Sequence, residues 1–498
     1  MFTKVLVANR GEIAVRVMRT LRELGIASVA VHSDADREAL HVRTADEAVG
    51  LGESRPAASY LDIDKLLDAA RRTGAQAIHP GYGFLAESPE FARRVAEAGL
   101  VFVGPPPEAL ARLGRKTEAR RTVAAAGVPI IPGMDAPERD LDRLAVHAER
   151  LGYPVLVKAV AGGGGKGMRV AASAGELHAA AQAATGEAAA AFGDGAIYLE
   201  KLLARPRHVE FQILADARGE VVHLFERECS VQRRHQKLIE ETPSPALDDE
   251  LRDRMGRAAV AAAKAAGYVN AGTVEFLLEG REFYFLEVNA RIQVEHPITE
   301  LLTGVDLVRC QLELAAGAPL PFRQEQLTRR GHALECRIYA EDPRHDFAPS
   351  PGRVLHASFP QHPGVRCDAG IDSGAEVPVH YDPILAKLAA HGATRAAAVA
   401  RLARALEECV VLGVETPIEL LLDVLRSEPF AAGRTHTGFL DEHFSGWRPA
   451  VAEDHLALIG CALERLAPAS TGGFGGPPAA AAEASSPWRR LGPWGRSD

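Results

Sequence analysis

The sequence predicts an α/β and α+β multidomain chain. Three observations carry that expectation. Short apolar runs alternate with amphipathic helical stretches from Lys4 to Val103, a glycine run sits between two strand-like segments near residue 160, and beyond Arg330 glycines and prolines punctuate short strands before a longer helix. At 498 residues the chain is also too long for one ordinary domain.

Lys4 to Ala8 reads as a buried strand, Asn9-Arg10-Gly11 as a turn and Glu12 to Leu24 as a helix. Ile13, Val17, Leu21 and Leu24 form its apolar stripe, and Gly25 suits its end. Ala27–His32, Ala75–His79 and Val101–Val103 read as strands and Asp62–Arg72 as a helix, an alternation that implies a parallel sheet. No GxGxxG follows the first strand, which argues against a dinucleotide fold. The segment HPGYGFLAE, His79 to Glu87, leaves a strand end with two glycines and an aromatic. It reads equally as a ligand loop at the carboxyl edge of the sheet and as a turn with Tyr82 packed over it.

The pattern changes near Arg115. Lys116 to Ala126 is helical and ends at Gly127. Then GYPVLVKAVAGGGGKGMRVA places Lys158 in one strand, glycines 162 to 165 and Lys166 at a tip, and a second strand beyond. This is no P-loop, because GxxxxGK[ST] spacing is missing and no helix follows. Bare backbone N–H groups between two lysines suit a mobile lid over phosphates. Ala196–Leu202 and His208–Leu214 read as strands with interleaved polar residues, and the run Glu200-Lys201-Leu202-Leu203 can offer backbone groups to an adenine edge. After a strand at Val221–Phe225, CSVQRRHQKLIEETPSP concentrates Gln232, Arg233, Arg234, His235 and Lys237, which favours an anion-binding role over a solvated loop. Arg257 to Ala266 is an Ala-rich helix closed by Gly267.

VEFLLEGREFYFLEVNARIQVEH, Val274 to His296, reads as a β-hairpin with Glu275 and Glu287 inside its apolar runs. A lone buried carboxylate is costly, so such groups are paired with a cation or metal. Strict alternation puts Phe283, Phe285, Glu287 and Asn289 on one face. Glu275 joins Glu287 only if the hairpin has an odd loop or a bulge, for which Gly280 is suitable; a two- or four-residue loop pairs Glu275 with Leu286 instead. Three oxygen donors without Cys or His suit Mg²⁺ or Mn²⁺ beside nucleotide phosphates.

Downstream, Thr299 to Ala316 reads as one helix, Cys336–Tyr339 as a strand and Thr394–Cys409 as a helix. Globular signal fades after His443; Ala450–Ala467 reads as one more helix, and from Pro468 the Ala, Gly, Pro and Ser content predicts disorder. With 47% hydrophobic and 25% charged residues the balance is that of a soluble globular protein. A net charge of −9 without a long basic run argues against a nucleic-acid partner. The cysteines (229, 310, 336, 367, 409 and 461) form no CxxC pair and read as reduced thiols. With no secretory signal and no apolar stretch long enough to span a membrane, a cytoplasmic location is expected.

VLVANRGEIA, HPGYGFLAE, AGGGGKGM, RHVEFQ, CSVQRRHQK and EVNARIQVEHPITE, in this order and spacing, resemble biotin carboxylase, an ATP-grasp ligase family, from Lys4 to about Phe444. The resemblance implies a Rossmann-like N-terminal domain (1–114), an ATP-grasp domain (115–329) with a lid at about 131–203, and a C-terminal α+β domain (330–446), leaving 447–498 as a helix and tail. It places Lys116, Lys158 and Gly163, Gly164 and Gly165 on ATP phosphates. Glu200, Lys201 and Leu203 hold the adenine, completed by His208, Gln232, His235 and Leu277. Glu275, Glu287 and Asn289 form the metal set, and Lys237, Arg291, Gln293 and Val294 the bicarbonate site. Glu295 is implied as the base that deprotonates bicarbonate, with carboxyphosphate as intermediate. Arg337 is implied to stabilise the biotin enolate, with Tyr82 also at biotin. No methionine precedes a lysine, so biotin is expected on a separate carrier protein or domain. The other implied partners are a second copy of this part, in a homodimer, and a carboxyltransferase subunit. The tail SSPWRRLGPW resembles the connector of acyl-CoA carboxylase α chains, including the methylcrotonyl-CoA type, so the chain is expected to be such a subunit or its front part. Another ATP-grasp ligase, such as a carbamoyl phosphate synthetase half or an amino-acid ligase, and a non-catalytic nucleotide-binding scaffold are the rival readings; the first lacks the RRHQK and RIQVEH pairing, and the second should have lost a metal or base residue.

Overall fold

In the computed structural model, the described residues are 1–134, 136–160 and 167–450; the side chains of Lys116, Thr117, Ala191 and Phe192 are also left aside. Glycines 163 to 165, Lys166 and the expected Ala450–Ala467 helix and tail therefore lie outside the described residues, except Ala450 itself. Met1–Arg448 form one compact unit, to which all the elements below belong.

Strands β1 (Lys4–Val7), β2 (Ala27–Ser33), β3 (Glu47–Gly52), β4 (Ala77–His79) and β5 (Val101–Phe102) form a parallel sheet in the order β3-β2-β1-β4-β5. The expected parallel alternation is therefore present. The helix Gly11–Glu23 buries Ile13, Val17 and Leu21, as its stripe requires. His79 ends β4, and the chain turns at Gly81 and Gly83, with φ of 62° and 68°. At Gly81 a Cβ would lie 2.9 Å from Asn9 Nδ2, so only glycine lets Asn9 donate to the carbonyls of Pro80 and Tyr82.

The lid is a small antiparallel sheet of β6 (Val155–Ala159), β7 (Met168–Ala171) and β8 (Ile197–Lys201), in the order β7-β6-β8. Helices Leu141–Leu151 and Ala174–Phe192 accompany it, both additional to the sequence expectation. Leu144, Ala148, Leu177, Ala181 and Ala184 bury against Val155, Val157 and Leu199.

The third sheet joins β9 (Arg207–Ala215), β10 (Val221–Arg233), β11 (Gln236–Thr242), β12 (Asn270–Glu279), β13 (Glu282–Asn289), β14 (His332–Tyr339), β15 (Val365–Ala369) and β16 (Ile384–Gly392). Its order is β13-β12-β9-β10-β11-β14-β16-β15, every neighbouring pair antiparallel. Because β11 pairs with β14, the sheet runs without a break across residue 330. Alternation then sorts the side chains. Val209, Phe211, Ile213, Val274, Phe276 and Leu278 face an apolar core that includes Met255, Ala259 and Ala263 of helix Asp249–Ala266. His208, Glu210, Gln212, Thr273, Glu275 and Leu277 occupy the other face, and Glu210 lies opposite Glu275.

Four readings are corrected. The strand read as Val221–Phe225 is longer: β10 extends to Arg233 and forms a hairpin with β11, with Arg234 and His235 turning at positive φ of 47° and 68°. The Ala-rich helix begins at Asp249, with Asp248 capping the Leu251 N–H, so polar residues opened it unrecognised. Thr299–Ala316 is two helices, His296–Thr303 and Leu307–Ala315, separated by Gly304 at φ 75° and restarted by the Asp306 cap. Finally, Phe283 and Phe285 do not share a face with Glu287 and Asn289. The turn at Gly280-Arg281 is a plain two-residue one, and Glu279 faces Glu282. The bulge lies at Leu286, between the pairs Phe276–Phe285 and Glu275–Glu287. The extra residue moves the core face from Phe283 and Phe285 to Val288 and Ala290 and leaves Glu287 opposite Glu275. Gly280, at φ 64°, serves the turn rather than the bulge.

Candidate active site

The polar face of the third sheet carries a buried ion network. Lys237 Nζ lies 2.5 Å from Glu210 Oε2, 2.9 Å from Glu275 Oε1 and 2.7 Å from Glu295 Oε1. Burial works against its charge, but these carboxylates outweigh it and hold the ammonium well above its ordinary range. Glu210 is shared with Arg227, which is fully buried: its Nε donates to Glu210 at 2.6 Å, and its other nitrogens to Gln212, Thr299 and Thr273. His208 Nε2 lies 3.1 Å from Glu275 Oε2. Burial lowers its basicity, yet the Glu275 charge carries it up to about 9.

Glu295 is the hinge of the arrangement. Its Oε1 accepts from Lys237 and its Oε2 from Arg337 NH2 at 2.9 Å. Burial and the charge of Glu210 push its carboxyl upward; Lys237, Arg337 and Arg227 outweigh both and leave it below the usual carboxylate range. It is therefore ionised at neutral pH and able to accept a proton. The buried Cys229 thiol lies 3.8 Å from the same Oε1 and is held well above the usual thiol range by burial.

Arg291 spreads over the start of the segment. Its Nε lies 3.2 Å from Glu87 Oε2, NH2 donates to Asn289 Oδ1 at 2.9 Å, and NH1 to Gln293 Oε1 at 3.2 Å. Gln293 in turn donates to Glu275 at 3.0 Å. The Val294 carbonyl accepts from Lys387 at 2.8 Å, Lys387 lies 3.0 Å from Glu12, and the Tyr82 hydroxyl donates to Glu12. Tyr82 is thus linked to the Val294 segment through two buried charges. Gln232 faces Lys237 across the β10–β11 turn, and Leu277 faces His208 across β12–β9.

A second cluster sits in the lid. Glu200 accepts from Lys158 at 2.8 Å and from Arg120, which also donates to the Ile131 carbonyl. Lys158 lies over the Tyr198 ring at 5.7 Å. Burial lowers the Lys158 ammonium and Glu200 raises it, with a net upward shift. Lys201 donates its ammonium to the Gly152 carbonyl at 2.7 Å, and its N–H to Pro132. Lys158 and Glu200 therefore meet, while Lys201, next to Glu200 in β8, turns its ammonium to Gly152 instead. Leu203 lies just past β8 and His235 in the β10–β11 turn. Lys116 opens the helix Lys116–Ala125.

Glu275, Glu287 and Asn289 offer two carboxylates directly opposite one another and an amide oxygen two residues on. The donor chemistry of this all-oxygen set suits a hard divalent cation, which would have to share Glu275 with Lys237, His208 and Gln293 and take Asn289 Oδ1 from Arg291. Two other three-ligand groups, His208–Glu210–Glu275 and Glu210–Cys229–Glu295, are both bridged by the Lys237 ammonium, so an internal cation already satisfies them.

Sequence reasoning passed over Glu210, Arg227, Glu87, Arg120, Glu12 and Lys387. Glu210 had a legible signal, since His208, Glu210 and Gln212 recur at period two inside RHVEFQ. Arg120, Glu12 and Lys387 had none, because their partners lie far away in sequence.

A small lid sheet carrying Lys158 on Glu200, and a larger sheet carrying acid-clamped Lys237 and Arg337, are consistent with an ATP-grasp ligase. Comparison with known proteins agrees and is more specific. Residues 1–110 match the family model for the biotin carboxylase N-terminal domain, 115–323 that for the carbamoyl-phosphate synthase L chain ATP-binding domain, and 335–442 that for the biotin carboxylase C-terminal domain. The chain is 51% identical over 443 residues to a biotin carboxylase of a Nostoc species, covering 89% of this chain and 99% of that one. It is 49% identical to biotin carboxylase 2 of Bacillus subtilis, covering 89% and 100%. It is 47% identical to the alpha chain of the mitochondrial methylcrotonoyl-CoA carboxylase of Rattus norvegicus, covering 90% of this chain but 63% of that one. Among solved structures, the biotin carboxylase domain dimer of Hydrogenobacter thermophilus 2-oxoglutarate carboxylase, with MgADP, ADP and bicarbonate, superposes with a TM-score of 0.86 at 44% identity, covering 90% and 99%. The chain belongs to the biotin carboxylase family, the ATP-grasp ligases whose reaction is the ATP-dependent carboxylation of biotin. The carbamoyl phosphate synthetase reading accounts for the middle segment alone, since the flanking segments match biotin carboxylase.

Proposed function

We propose that this chain activates bicarbonate with ATP and carboxylates biotin carried on a separate protein or domain, the first half-reaction of an acyl-CoA carboxylase. The observation that carries this reading is the position of Glu295: one ionised carboxylate suspended between Lys237 and Arg337, on the segment that also supplies Arg291 and Gln293. Mg²⁺ or Mn²⁺ at Glu275, Glu287 and Asn289 would supply charge neutralisation to the ATP phosphates.

Bicarbonate is a weak, anionic nucleophile. Arg291 and Lys237 lower the cost of bringing it to a phosphate, and Gln293 and the Val294 backbone orient it. Glu295 takes its proton, which leaves the oxygen able to attack the γ-phosphorus; the bond to the β,γ-bridging oxygen breaks, ADP leaves and carboxyphosphate forms. Lys158, released from Glu200, holds the phosphates, and the resemblance assigns Lys116 and the glycines at 163 to 165 to the same ligand. Glu200, Lys201, Leu203, His208, Gln232, His235 and Leu277 enclose the adenosine. Carboxyphosphate breaks down to CO₂ and phosphate; phosphate removes the N1 proton of biotin, Arg337 stabilises the enolate, and N1 attacks CO₂. Tyr82 borders the biotin side. Domain limits at 114/115, 329/330 and 446/447, a carboxyltransferase partner and a homodimer belong to the same proposal, and the dimer of the Hydrogenobacter relative supports the last. No helix of the described residues is long and apolar enough to cross a membrane.

The test is ATP cleavage by the purified chain. Turnover that requires bicarbonate and rises with free biotin, and further with a biotinylated carrier protein, is the expected result. ATP cleavage indifferent to bicarbonate would end the reading.

A further inference from the structure

Arg337 is held from behind as well as from the front. Its Nε donates to Glu240 Oε1 at 2.6 Å, its NH2 to Glu295 at 2.9 Å, and its NH1 reaches the Tyr339 hydroxyl at 3.3 Å. Glu240 stands on β11 directly opposite Glu335 on β14. Both are buried, and the second oxygen of Glu240 and both oxygens of Glu335 have no hydrogen-bond partner among the described residues. We infer that Glu240, backed by Glu335, is a positioning residue that keeps Arg337 on a single oxygen of Glu295 and points its guanidinium at biotin. The inference rests on the roles proposed above for Arg337 and Glu295.

The reason is competing geometry. A guanidinium beside a carboxylate prefers two parallel bonds. Left alone, Arg337 would fork onto both oxygens of Glu295 and turn its guanidinium away from the biotin side. Glu240 occupies the Nε edge and prevents that fork. The price of this device is a second buried carboxylate, and Glu335 beside it makes a third. Two adjacent buried carboxyls with orphaned oxygens cannot both be ionised. Burial drives Glu335 well above the usual carboxylate range, and burial with the Glu295 charge pushes Glu240 up to about 7, against the pull of Arg337 and Lys237. The groups that face Glu240 are Arg337, Tyr339, Glu335 and Cys336 from β14, Glu295 ahead of helix His296–Thr303, Cys229 from β10 and Lys237 from its own strand; Lys387 on β16 acts on Glu335. Glu240 therefore grips Arg337 as an ion pair above neutral pH and loosens below it.

The experiment measures two reactions of the whole chain: bicarbonate-dependent ATP cleavage without biotin, and carboxylation of free biotin. Glu240→Gln should lower kcat for biotin carboxylation by about 10- to 100-fold, the range usual for partners that orient a functional group. ATP cleavage without biotin and KM for ATP should change far less. The acid limb of the wild-type carboxylation profile, near pH 7, should vanish in Glu240→Gln and move to lower pH in Glu335→Gln, whose amide can donate to the orphaned Glu240 oxygen. Equal losses in both reactions, no loss at all, or an unmoved limb overturn the inference. If Glu240→Gln does not fold, the displacement of the limb in Glu335→Gln decides alone. A wild-type chain without biotin-stimulated turnover would instead remove the functional reading beneath it.

Discussion

In the lid, two cations converge on one carboxylate, Glu200; on the third sheet, one lysine is surrounded by three carboxylates, each tied to something else. The difference teaches which charges can move. If Lys158 leaves for a phosphate, Glu200 keeps Arg120, and no buried charge is stranded. If Lys237 leaves, Glu210, Glu275 and Glu295 repel one another in a dry interior, so it stays. The lid thus holds an exchangeable cation for a ligand that comes and goes, and the sheet a fixed field for a reaction that needs charge already in place.

The strongest way to test the fixed field is to remove its base. Glu295→Gln is expected to lower bicarbonate-dependent ATP cleavage by about 10²- to 10⁴-fold, the usual weight of a general base; steady-state rates at saturating bicarbonate check this, and an unchanged rate removes Glu295 from that role. Next comes the framework. Arg227→Met leaves Lys237 as the one close cation shared by Glu210, Glu275 and Glu295 and unpairs Gln212, Thr273 and Thr299, and should cost about 3–5 kcal/mol of stability, as breaking a buried ionic network does. Denaturant unfolding measures it, and a cost below that of an ordinary surface change would break the contrast with the lid.

A third prediction asks whether acid sensitivity comes from this network or from the parallel sheet. His79 is buried, its Nδ1 accepts from the Gly81 N–H and its Nε2 bonds Gln311, and burial lowers it to about 4. An unfolded histidine titrates near 6.5, so between these values the unfolded chain binds the extra proton. Stability contributed by neutral His79 is therefore complete above about pH 6.5 and is lost as pH falls toward 4, by at most about 3 kcal/mol. Unfolding followed across that window should lose part of its slope in His79→Gln; an unaltered slope removes His79 as its source. The smallest effect belongs to the lid. Lys158→Gln should raise KM for ATP about tenfold, the worth of one hydrogen bond to a charged group, with thermal stability disturbed less than in Arg227→Met. A larger loss of stability than of ATP affinity would make Lys158 a structural cation like Lys237.

The sequence was legible where a local rule governs it. The alternation from Lys4 to Val103 announced a parallel sheet, and Glu275 with Glu287 announced that the hairpin needed an extra residue to bring them together. It was not legible where a residue's environment comes from distant chain. Nothing at Phe285-Leu286-Glu287 marks Leu286 as the bulge; packing of Phe283 and Phe285 on one side of it and Val288 on the other selects it. Nothing local in RRHQK shows that Lys237 is buried; Glu210 and Glu275 from two strands and Glu295 from the turn before helix His296–Thr303 neutralise it there.

By itself, then, the amino-acid order determined the periodicity of each element, the two glycine-dependent turns beyond β4, the oxygen-only donor set and, through its resemblance, the family. Tertiary structure alone decided which charges meet: Tyr82 with Glu12, Glu12 with Lys387, Arg337 between Glu240 and Glu295. Periodicity is a property of neighbouring residues, whereas the ionisation of a buried group depends on dielectric and on charges brought near by folding, and no local stretch of chain encodes either.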